Sequence, residues 1–181
     1  MARDLHYYGD PALRKKGAPV EAFDADLAAL VHDLFEIMYR EKGVGLAAPQ
    51  LGESMRVFVV DVEDDEGRTK HVFVNPVITR REGSMVGEEG CLSIPGFRED
   101  VKRAAVIDVE AKDETGRAFT LTAEGLLARA IQHELDHLDG ILFIDRLSPI
   151  KRKLLEARLK KFEPPVSRST PRQSPKTRST V

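Results

Sequence analysis

The segment QHELDHLDG, residues 132–140, constrains this chain more than any other stretch. His133 and His137 are four residues apart, and Glu134 directly follows the first histidine. On an α-helix, residues four apart lie on the same face, so the two imidazoles can bind one metal ion. Glu134 would then lie beside the ion as a general base rather than as a ligand. The alternative is a helix whose two histidines are hydrogen-bonded core residues.

The sequence predicts this helix from Glu124 to Asp139, with Thr122 as its N-cap and Gly140 as its C-terminal stop. At about 100° per residue, both histidines and Glu134 fall within or at the edge of an apolar arc. The arc consists of Leu126, Leu127, Ala130, Ile131, Leu135 and Leu138. The other side of the wheel consists of Gly125, Arg129, Gln132, Asp136 and Asp139. Polar groups turned toward the interior need partners, and a bound metal would satisfy the two histidines and the glutamate together.

The single cysteine, Cys91, lies in the segment EEGCLSIPG, residues 88–96. A lone cysteine is a nucleophile, a metal ligand or a small buried hydrophobe. Both candidate histidine bases are already assigned to the metal, so the economical interpretation gives Cys91 to the same ion. Two histidines and one cysteine would leave the fourth tetrahedral position open for water, as in a catalytic zinc site.

Length, charge and hydropathy exclude several broad classes of protein. The 181 residues are enough for one domain, and a net charge of −2 gives no overall nucleic-acid signature. No apolar run is long enough to span a membrane, and the N-terminus lacks the apolar core of a secretory signal. One cysteine cannot form an internal disulfide, which fits a reducing compartment. We therefore expect a cytoplasmic protein with no membrane partner.

The rest of the chain predicts an α+β fold. Asp24 is typical of a helix cap before a run with helical spacing, and Ser148-Pro149 predicts the start of a last helix. Pro76 indicates an edge or a bulge in one of the strands. The predicted strands are Met55–Val62, His71–Ile78, Val101–Lys112 and Arg117–Thr122. We expect antiparallel strands packed around a central metal-binding helix, with an N-terminal and a C-terminal helix.

The C-terminal part of the chain differs from the rest in charge. Residues 150–181 contain ten lysines and arginines against two glutamates, a balance of +8. We predict a single catalytic domain over residues 1–162 and a basic, Pro/Ser/Thr-rich, disordered tail over residues 163–181. Such asymmetry favours a polyanionic partner, and the alternative is a solvated tail without one.

Three separate segments, in this order, resemble the signature motifs of the bacterial peptide deformylases. They are GVGLAAPQ (residues 43–50), EEGCLS (residues 88–93) and QHELDHLDG (residues 132–140). The resemblance begins in the stretch Gly9–Val20 and continues to about Lys161. It implies an enzyme that removes the formyl group from the N-terminal formyl-methionine of new polypeptides. It also implies contact of the last helix with ribosomal RNA, and we take the same polyanion as the expected partner of the basic C-terminal segment.

The resemblance also implies a role for individual residues. The metal ligands would be Cys91, His133 and His137, and Glu134 would act on a metal-bound water as general base and acid. The oxyanion donors would be the side chain of Gln50 and the backbone amide of Leu92, and Gly45 is assigned to the same catalytic group. The methionine pocket would include Val44, Leu126 and Ala130, with Arg98 near the peptide channel. Phe97 stands where a polar residue is commoner in the family. The expected metal is one Fe²⁺, with Zn²⁺, Ni²⁺ and Co²⁺ as alternatives, because this ligand set suits several of these ions.

Two rival interpretations fit the residues less well. A metalloprotease of the metzincin kind needs a histidine at the position that Phe143 occupies. A glutamate ligand would have to come from Glu156 or Glu163, in a lysine-rich helix or at the edge of the tail. A metal-stabilised binding module would normally have four protein ligands, and the sequence offers three good ones.

Overall fold

The structure, a computed structural model, describes residues 3–64, 67–160 and 162. The tail predicted over residues 163–181 lies outside the described residues. Within them the helices are α1 (Ala25–Arg40), α2 (Gly125–Leu138) and α3 (Pro149–Leu159). The strands are β1 (Gly45–Ala47), β2 (Val57–Asp64), β3 (Gly67–Glu82), β4 (Met85–Cys91), β5 (Ile94–Arg103), β6 (Val106–Lys112) and β7 (Ala118–Glu124). Short 3₁₀ turns cover Pro11–Arg14, Ala48–Leu51 and Phe143–Arg146.

The described strands form two antiparallel sheets. One sheet has the order β1-β2-β3-β6-β7, and β4 pairs with β5 in a separate two-stranded sheet. α2 packs against β1 and β2 of the larger sheet, while α1 precedes the sheets and α3 follows them in the chain. The predicted α+β fold, with antiparallel strands around a central helix, is confirmed.

β2 is buried on both of its faces. Its alternate residues Val57 and Val59 belong to the apolar cluster that α1 fills, whereas Phe58 and Val60 belong to the cluster that α2 fills. Side chains alternate between the two faces of a strand, so α1 and α2 lie on opposite faces of the sheet. A third cluster joins α3 to the end of the β4–β5 sheet. α2 therefore packs on one face of a sheet whose opposite face is covered by a separate apolar core.

Pro76 marks a bulge and not an edge. β3 lies between β2 and β6, and its register with β6 shifts between Val74 and Val77. A proline has no N–H to donate to the hydrogen bonds between strands, so the regular pairing of β3 with β6 is interrupted there. The neighbouring Asn75 has a φ of 53°, and its side-chain amide both accepts a hydrogen bond from the amide of Val20 (2.8 Å) and donates one to the carbonyl of Val20 (2.9 Å). The bulge thus anchors the N-terminal segment.

The predicted strand Val101–Lys112 was wrong as one continuous element. β5 ends at Arg103 and β6 begins at Val106, so the chain crosses from one sheet to the other at Ala104 and Ala105. The side chain of Gln132 accepts from the Ala104 amide (3.1 Å) and donates to its carbonyl (3.0 Å). These two bonds from α2 satisfy the backbone N–H and C=O groups of Ala104, where the strand is interrupted. The β-propensity of the residues alone cannot reveal such an interruption.

The predicted N-terminal and C-terminal helices are confirmed. Asp24 caps α1 by accepting hydrogen bonds from the amides of Asp26 and Leu27. Ser148 caps α3, with Pro149 in its first turn. None of the helices in the described ranges combines the length and apolar character needed to cross a membrane.

Candidate active site

The helix that carries the two histidines starts later than predicted. Thr122 belongs to β7, and its hydroxyl donates to Asp108 (2.7 Å), so it does not cap α2. The N-cap residue is Glu124, without a side-chain cap bond, and Gly125 follows with a φ of 54°. Glycine adopts this left-handed conformation at little cost, which lets the strand pass directly into the helix. The predicted stop is confirmed, because Gly140 has a φ of 71° just after the helix.

Cys91, His133 and His137 meet at one point. Cys91 is the last residue of β4, and α2 supplies both histidines from adjacent turns. One donor atom from each of the three residues lies within 4.8 Å of the others, and Cys91 Sγ is 3.3 Å from His137 Nε2. Among the described residues no fourth ligand joins this group. A thiolate and two imidazoles fit a zinc or ferrous ion with one open coordination position.

Glu134 is buried beside these donors. Its Oε2 has no hydrogen-bond partner among the described residues. Burial raises the pKa of Glu134 to about 7, and the Glu89 carboxylate adds to that rise while the positive charge of His133 opposes it. A β-carbon added at Gly45 would lie 2.5 Å from Glu134 Oε1, so the absence of a side chain at Gly45 makes room for the carboxylate. An unpartnered buried carboxylate is suited to accept a proton from a small guest molecule.

The side chain of Gln50 has a fixed orientation. Its Oε1 accepts a hydrogen bond from the amide of Ala47 (2.9 Å), which leaves Nε2 3.5 Å from Cys91 Sγ and 3.1 Å from the hydroxyl of Ser93. The N-terminal segment braces this arrangement, because the amide of His6 donates to the carbonyl of Gln50 (2.7 Å). The side-chain NH₂ group of Gln50 is therefore held beside Cys91 Sγ, with the hydroxyl of Ser93 as its other partner.

An open cleft of ≈950 Å³ contains Cys91, His133 and Glu134. The same cleft is lined by Leu92 and by all four residues predicted to bind substrate. Those four are Val44, Leu126, Ala130 and Arg98. Val44 is 43% exposed and Leu126 54% exposed, so two apolar side chains lie open at its wall. The apolar arc of α2 thus extends from the core to Leu126, whose residue borders the cleft.

The wheel also misplaced three polar residues of α2. Arg129, Gln132 and Asp136 lie opposite the apolar arc, yet all three are buried. The β4–β5 sheet and the segment that crosses to β6 cover that side of the helix, where Arg129 donates to the carbonyls of Gly87 (3.1 Å) and Val101 (3.0 Å). α2 is thus buried around most of its circumference.

A buried ion-pair network, absent from the sequence predictions, surrounds the first histidine. Glu89 Oε2 is 3.0 Å from His133 Nδ1, and Arg103 binds both oxygens of Glu89 at 2.8 and 2.9 Å. Arg103 also donates to Asp136 (2.6 Å), and Arg129 donates to Glu89 (2.9 Å). Glu89 lies two residues before Cys91 on a strand, and that spacing places both side chains on one face. This was the sequence signal that could have identified it.

The network fixes the charge of Glu89 and the orientation of His133. Burial alone would raise the pKa of Glu89, but the hydrogen bonds and positive charges of Arg103 and His133 hold it well below its usual range. A permanent carboxylate at Nδ1 leaves Nε2 of His133 for the metal, since metal-binding histidines usually donate their other nitrogen to such a group. Arg103 is the residue that joins this carboxylate to Asp136 on α2.

The residues of the rival metalloprotease interpretation lie apart from the donors or cannot bind. Phe143 is buried, and its ring stacks 6.4 Å from that of His133. Glu156 pairs with Arg152 on α3 (2.8 Å). Glu163 lies outside the described residues. No third protease ligand comes from these positions in the part of the chain that the structure covers.

Comparison with known proteins gives one consistent result. A sequence model of the family "Polypeptide deformylase" matches residues 2–153. The chain is 49% identical over 159 residues to the peptide deformylase of Alkalilimnicola ehrlichii, covering 88% of this chain and 89% of that protein. It is 50% identical over 171 residues to that of Thermus thermophilus, covering 87% and 88%.

Solved structures agree with these sequence matches. The crystal structure of a peptide deformylase from Legionella pneumophila superposes with a TM-score of 0.82 at 46% identity, covering 89% of this chain and 95% of that one. A peptide deformylase from Synechococcus elongatus, solved in complex with actinonin, gives a TM-score of 0.82 at 43% identity, covering 89% of each chain. The fold, the grouped donors and these similarities together show that the chain belongs to the polypeptide deformylase family of enzymes.

Proposed function

We propose that this enzyme hydrolyses the formyl amide at the N-terminal formyl-methionine of newly made polypeptides. The observation that carries the proposal is that three side chains able to hold a metal ion cluster in the same site as the unpartnered, buried carboxylate of Glu134. Membership of the deformylase family supports the reaction type and the substrate class.

In this proposal Cys91, His133 and His137 hold one divalent ion, with Fe²⁺ expected first and Zn²⁺, Ni²⁺ or Co²⁺ as alternatives. The donor set supports this assignment because thiolate and imidazole suit these metals better than they suit magnesium or calcium. When bound, such an ion supplies Lewis acidity, which polarises a carbonyl and makes a water molecule more acidic. Glu89 contributes by holding the imidazole of His133 in place (3.0 Å).

Glu134 is assigned the proton transfers. It accepts a proton from the attacking water and later delivers that proton to the leaving amine. Its pKa of about 7 already lies in the range for such a role, and a neighbouring cation would lower that pKa and favour the ionised base. Gly45 serves this step by leaving space for the carboxylate.

Gln50 and Leu92 are assigned to stabilise the negative charge that develops on the former carbonyl oxygen. The backbone amide of Ala47 donates a hydrogen bond to Oε1 of Gln50 (2.9 Å), and this bond fixes the orientation of the Nε2 group before any substrate binds. Hydrogen-bond donors that need no reorganisation stabilise a transition state most effectively. Losing one such donor typically lowers kcat about 10²–10³-fold. The backbone amide of Leu92, next to Cys91 in the chain, would supply the second donor.

Val44, Leu126 and Ala130 are proposed to line the methionine pocket. They are apolar and border the cleft that holds the donors. Arg98 is proposed to contact the peptide further along the cleft, where it pairs with Glu88 at 3.1 Å. A pocket for methionine beside the reacting group would favour chain termini over internal peptide bonds.

We further propose that residues 1–162 form the catalytic domain and that the basic C-terminal segment contacts ribosomal RNA. α3 exposes Lys151, Arg152 and Lys153 together with Ile150 (76%) and Leu154 (66%). Phosphate contacts of this kind weaken steeply with salt. Charge reversal at Lys151, Lys153 and Lys160, in a chain ending at Phe162, should weaken ribosome binding while a short formyl peptide is still hydrolysed. Undiminished ribosome binding by this variant would contradict the proposed contact with ribosomal RNA.

The central proposal is tested with protein purified without oxygen and loaded with Fe²⁺. The substrates are a short formyl-methionyl peptide and the same peptide with an acetyl group in place of the formyl group. Release of formate, with no cleavage of the acetylated peptide or of internal bonds, is expected. The matched variant Glu134→Ala should keep a stoichiometric metal and lose turnover. Cleavage of internal bonds, or an equally active Glu134→Ala protein, would contradict the proposed function.

A further inference from the structure

Ser93 lies behind the candidate active site, in the turn between β4 and β5, where it is fully buried (0% exposed). Gln50, Cys91 and Leu92 are among the described residues that line the cleft, whereas Ser93 is not. The hydroxyl oxygen of Ser93 nevertheless accepts a hydrogen bond from Nε2 of Gln50 (3.1 Å). Any effect of Ser93 on the reaction must therefore pass through Gln50.

The carboxamide of Gln50 offers one oxygen and two N–H groups. Its oxygen accepts a hydrogen bond from the backbone amide of Ala47 (2.9 Å). One N–H group of Nε2 donates to the hydroxyl of Ser93, and the other lies on the side of Cys91 Sγ, which is 3.5 Å from Nε2. The terminal torsion of a glutamine side chain has only a broad preference of its own. The bonds to Ala47 and Ser93, at opposite ends of the amide, therefore fix its plane and the direction of the second N–H group.

One segment near the N-terminus holds the backbones of both residues. The amide of His6 donates to the carbonyl of Gln50 (2.7 Å), and the amide of Tyr8 donates to the carbonyl of Ser93 (2.8 Å). Two residues of the same short segment thus bind the two partners of the side-chain bond. The distance between Nε2 of Gln50 and the hydroxyl of Ser93 is therefore set by the fold around them.

We propose that Ser93 is a positioning residue for Gln50, whose second N–H group it directs toward the position of the reacting carbonyl oxygen. This inference rests on the proposed function and adds a residue that does not itself touch the substrate. Gln50 is only 2% exposed, so solvent is poorly placed to replace the hydroxyl as an acceptor. A buried N–H group without an acceptor is costly, so loss of the hydroxyl favours rotation of the amide. Rotation would remove the preorganisation that makes such a donor effective.

A purely structural role for Ser93 predicts a different outcome. A buried hydrogen bond contributes to stability wherever it lies in a protein. If stability were the only role, removal of the hydroxyl would lower Tm and leave kcat of the folded enzyme unchanged. Any effect on kcat would also be the same with and without the side chain of Gln50. The dependence of the effect on Gln50 therefore distinguishes positioning from simple stabilisation.

The first experiment is a double-mutant cycle on the full-length, metal-loaded enzyme with a short formyl-methionyl peptide. Ser93→Ala should lower kcat about tenfold and change KM less than about twofold, because a misplaced donor costs less than a missing one. In the Gln50→Ala background, the same substitution should change kcat by less than about twofold. Ser148→Ala is the matched control, since this serine also accepts one hydrogen bond, from the amide of Lys151 (3.4 Å), but caps α3. It should leave kcat unchanged.

The second experiment follows the amide of Gln50 directly and needs no turnover. Zinc has a filled d shell, so the zinc-loaded enzyme is suitable for NMR measurement of hydrogen exchange at Nε2. The signals of this amide are identified by their absence from the spectrum of Gln50→Ala. Exchange should be about two- to tenfold faster in Ser93→Ala than in the wild type, as for the loss of one buried hydrogen bond. Ser148→Ala should exchange like the wild type.

The two readouts decide the inference together. Equal effects of Ser93→Ala on kcat with and without the side chain of Gln50 would overturn it, and so would an unaltered exchange rate of the Gln50 amide. If Ser93→Ala does not fold, Ser93→Gly takes its place in both experiments. A metal-loaded wild-type enzyme that releases no formate would instead refute the proposed function, and with it the catalytic use of this bond.

Discussion

Arg103→Met is the sharpest test of how the site is supported, because it removes one buried cation and leaves the metal ligands untouched. The side chain of Arg103 is 4% exposed and joins Glu89 on β4 to Asp136 on α2. Methionine is shorter, unbranched and uncharged, so the substitution keeps the packing of the aliphatic part of the side chain and removes the guanidinium group. It leaves two buried carboxylates with fewer partners.

The expected loss of stability follows from those partners. Breaking a buried ion pair by removing one member costs about 3–5 kcal/mol, because the other member remains buried and uncompensated. Arg129 still binds Glu89 (2.9 Å) and Arg146 still binds Asp136 (2.6 Å), so we expect the lower end, about 3 kcal/mol. For a domain of this size that corresponds to a fall in Tm of about 6–12 °C.

The assay is thermal and urea unfolding of the metal-loaded variant, with Arg80→Met as a matched control. Arg80 also binds a carboxylate through two nitrogens, at 2.6 and 3.3 Å from Asp108, but on the exposed surface. Exposed pairs contribute little, so this control should unfold like the wild type. Equal Tm shifts for the two variants would refute the view that the buried network stabilises the site. If Arg103→Met loses metal affinity and Arg80→Met does not, the network also orients His133 through Glu89.

Three further substitutions test single contacts. Gly45→Ala should retain the metal but lose at least about tenfold in kcat, because the new β-carbon would lie 2.5 Å from Glu134 Oε1; normal kcat with unchanged metal content would contradict this. Cys91→Ser should weaken Fe²⁺ or Zn²⁺ binding in a competition titration, since a soft thiolate is replaced by a neutral hydroxyl, and unaltered affinity would remove Cys91 from the ligand set. Asn75→Ala should lower the free energy of unfolding by about 1–3 kcal/mol in urea, because both backbone groups of Val20 lose their partner; Asn75→Asp, which keeps one acceptor, should lose less.

The sequence predicted the local features of this fold well because their causes are local. The caps at Asp24 and Ser148 and the stop at Gly140 depend on neighbouring residues, and all three are present. The meeting of Cys91 with the histidines could also be predicted, since the chemistry of one metal requires it. The structure brings these three donors within 4.8 Å of one another.

The features that escaped prediction depend on what packs against each element. A helical wheel assigns one buried side, but α2 has neighbours on several sides, so Arg129 and Asp136 are buried. The break at Ala104 exists because two sheets meet there, and no residue at the break signals it. The burial of Glu89 was not predicted because an acidic residue in an acidic segment is usually exposed. The partners that stabilise it in the interior, Arg103, Arg129 and His133, are all distant in the sequence.

The order of the three donors along the chain has a consequence for the synthesis of the enzyme itself. Cys91 is translated well before His133 and His137, and both sheets are complete in sequence before α2 begins. A chain made only as far as β7 therefore holds the thiol without either imidazole and cannot assemble the trio. A fragment that ends before His133 should therefore be unable to form the proposed metal site, however well its strands pair. Each new copy can therefore form the three-residue site only after its own α2 has been synthesised.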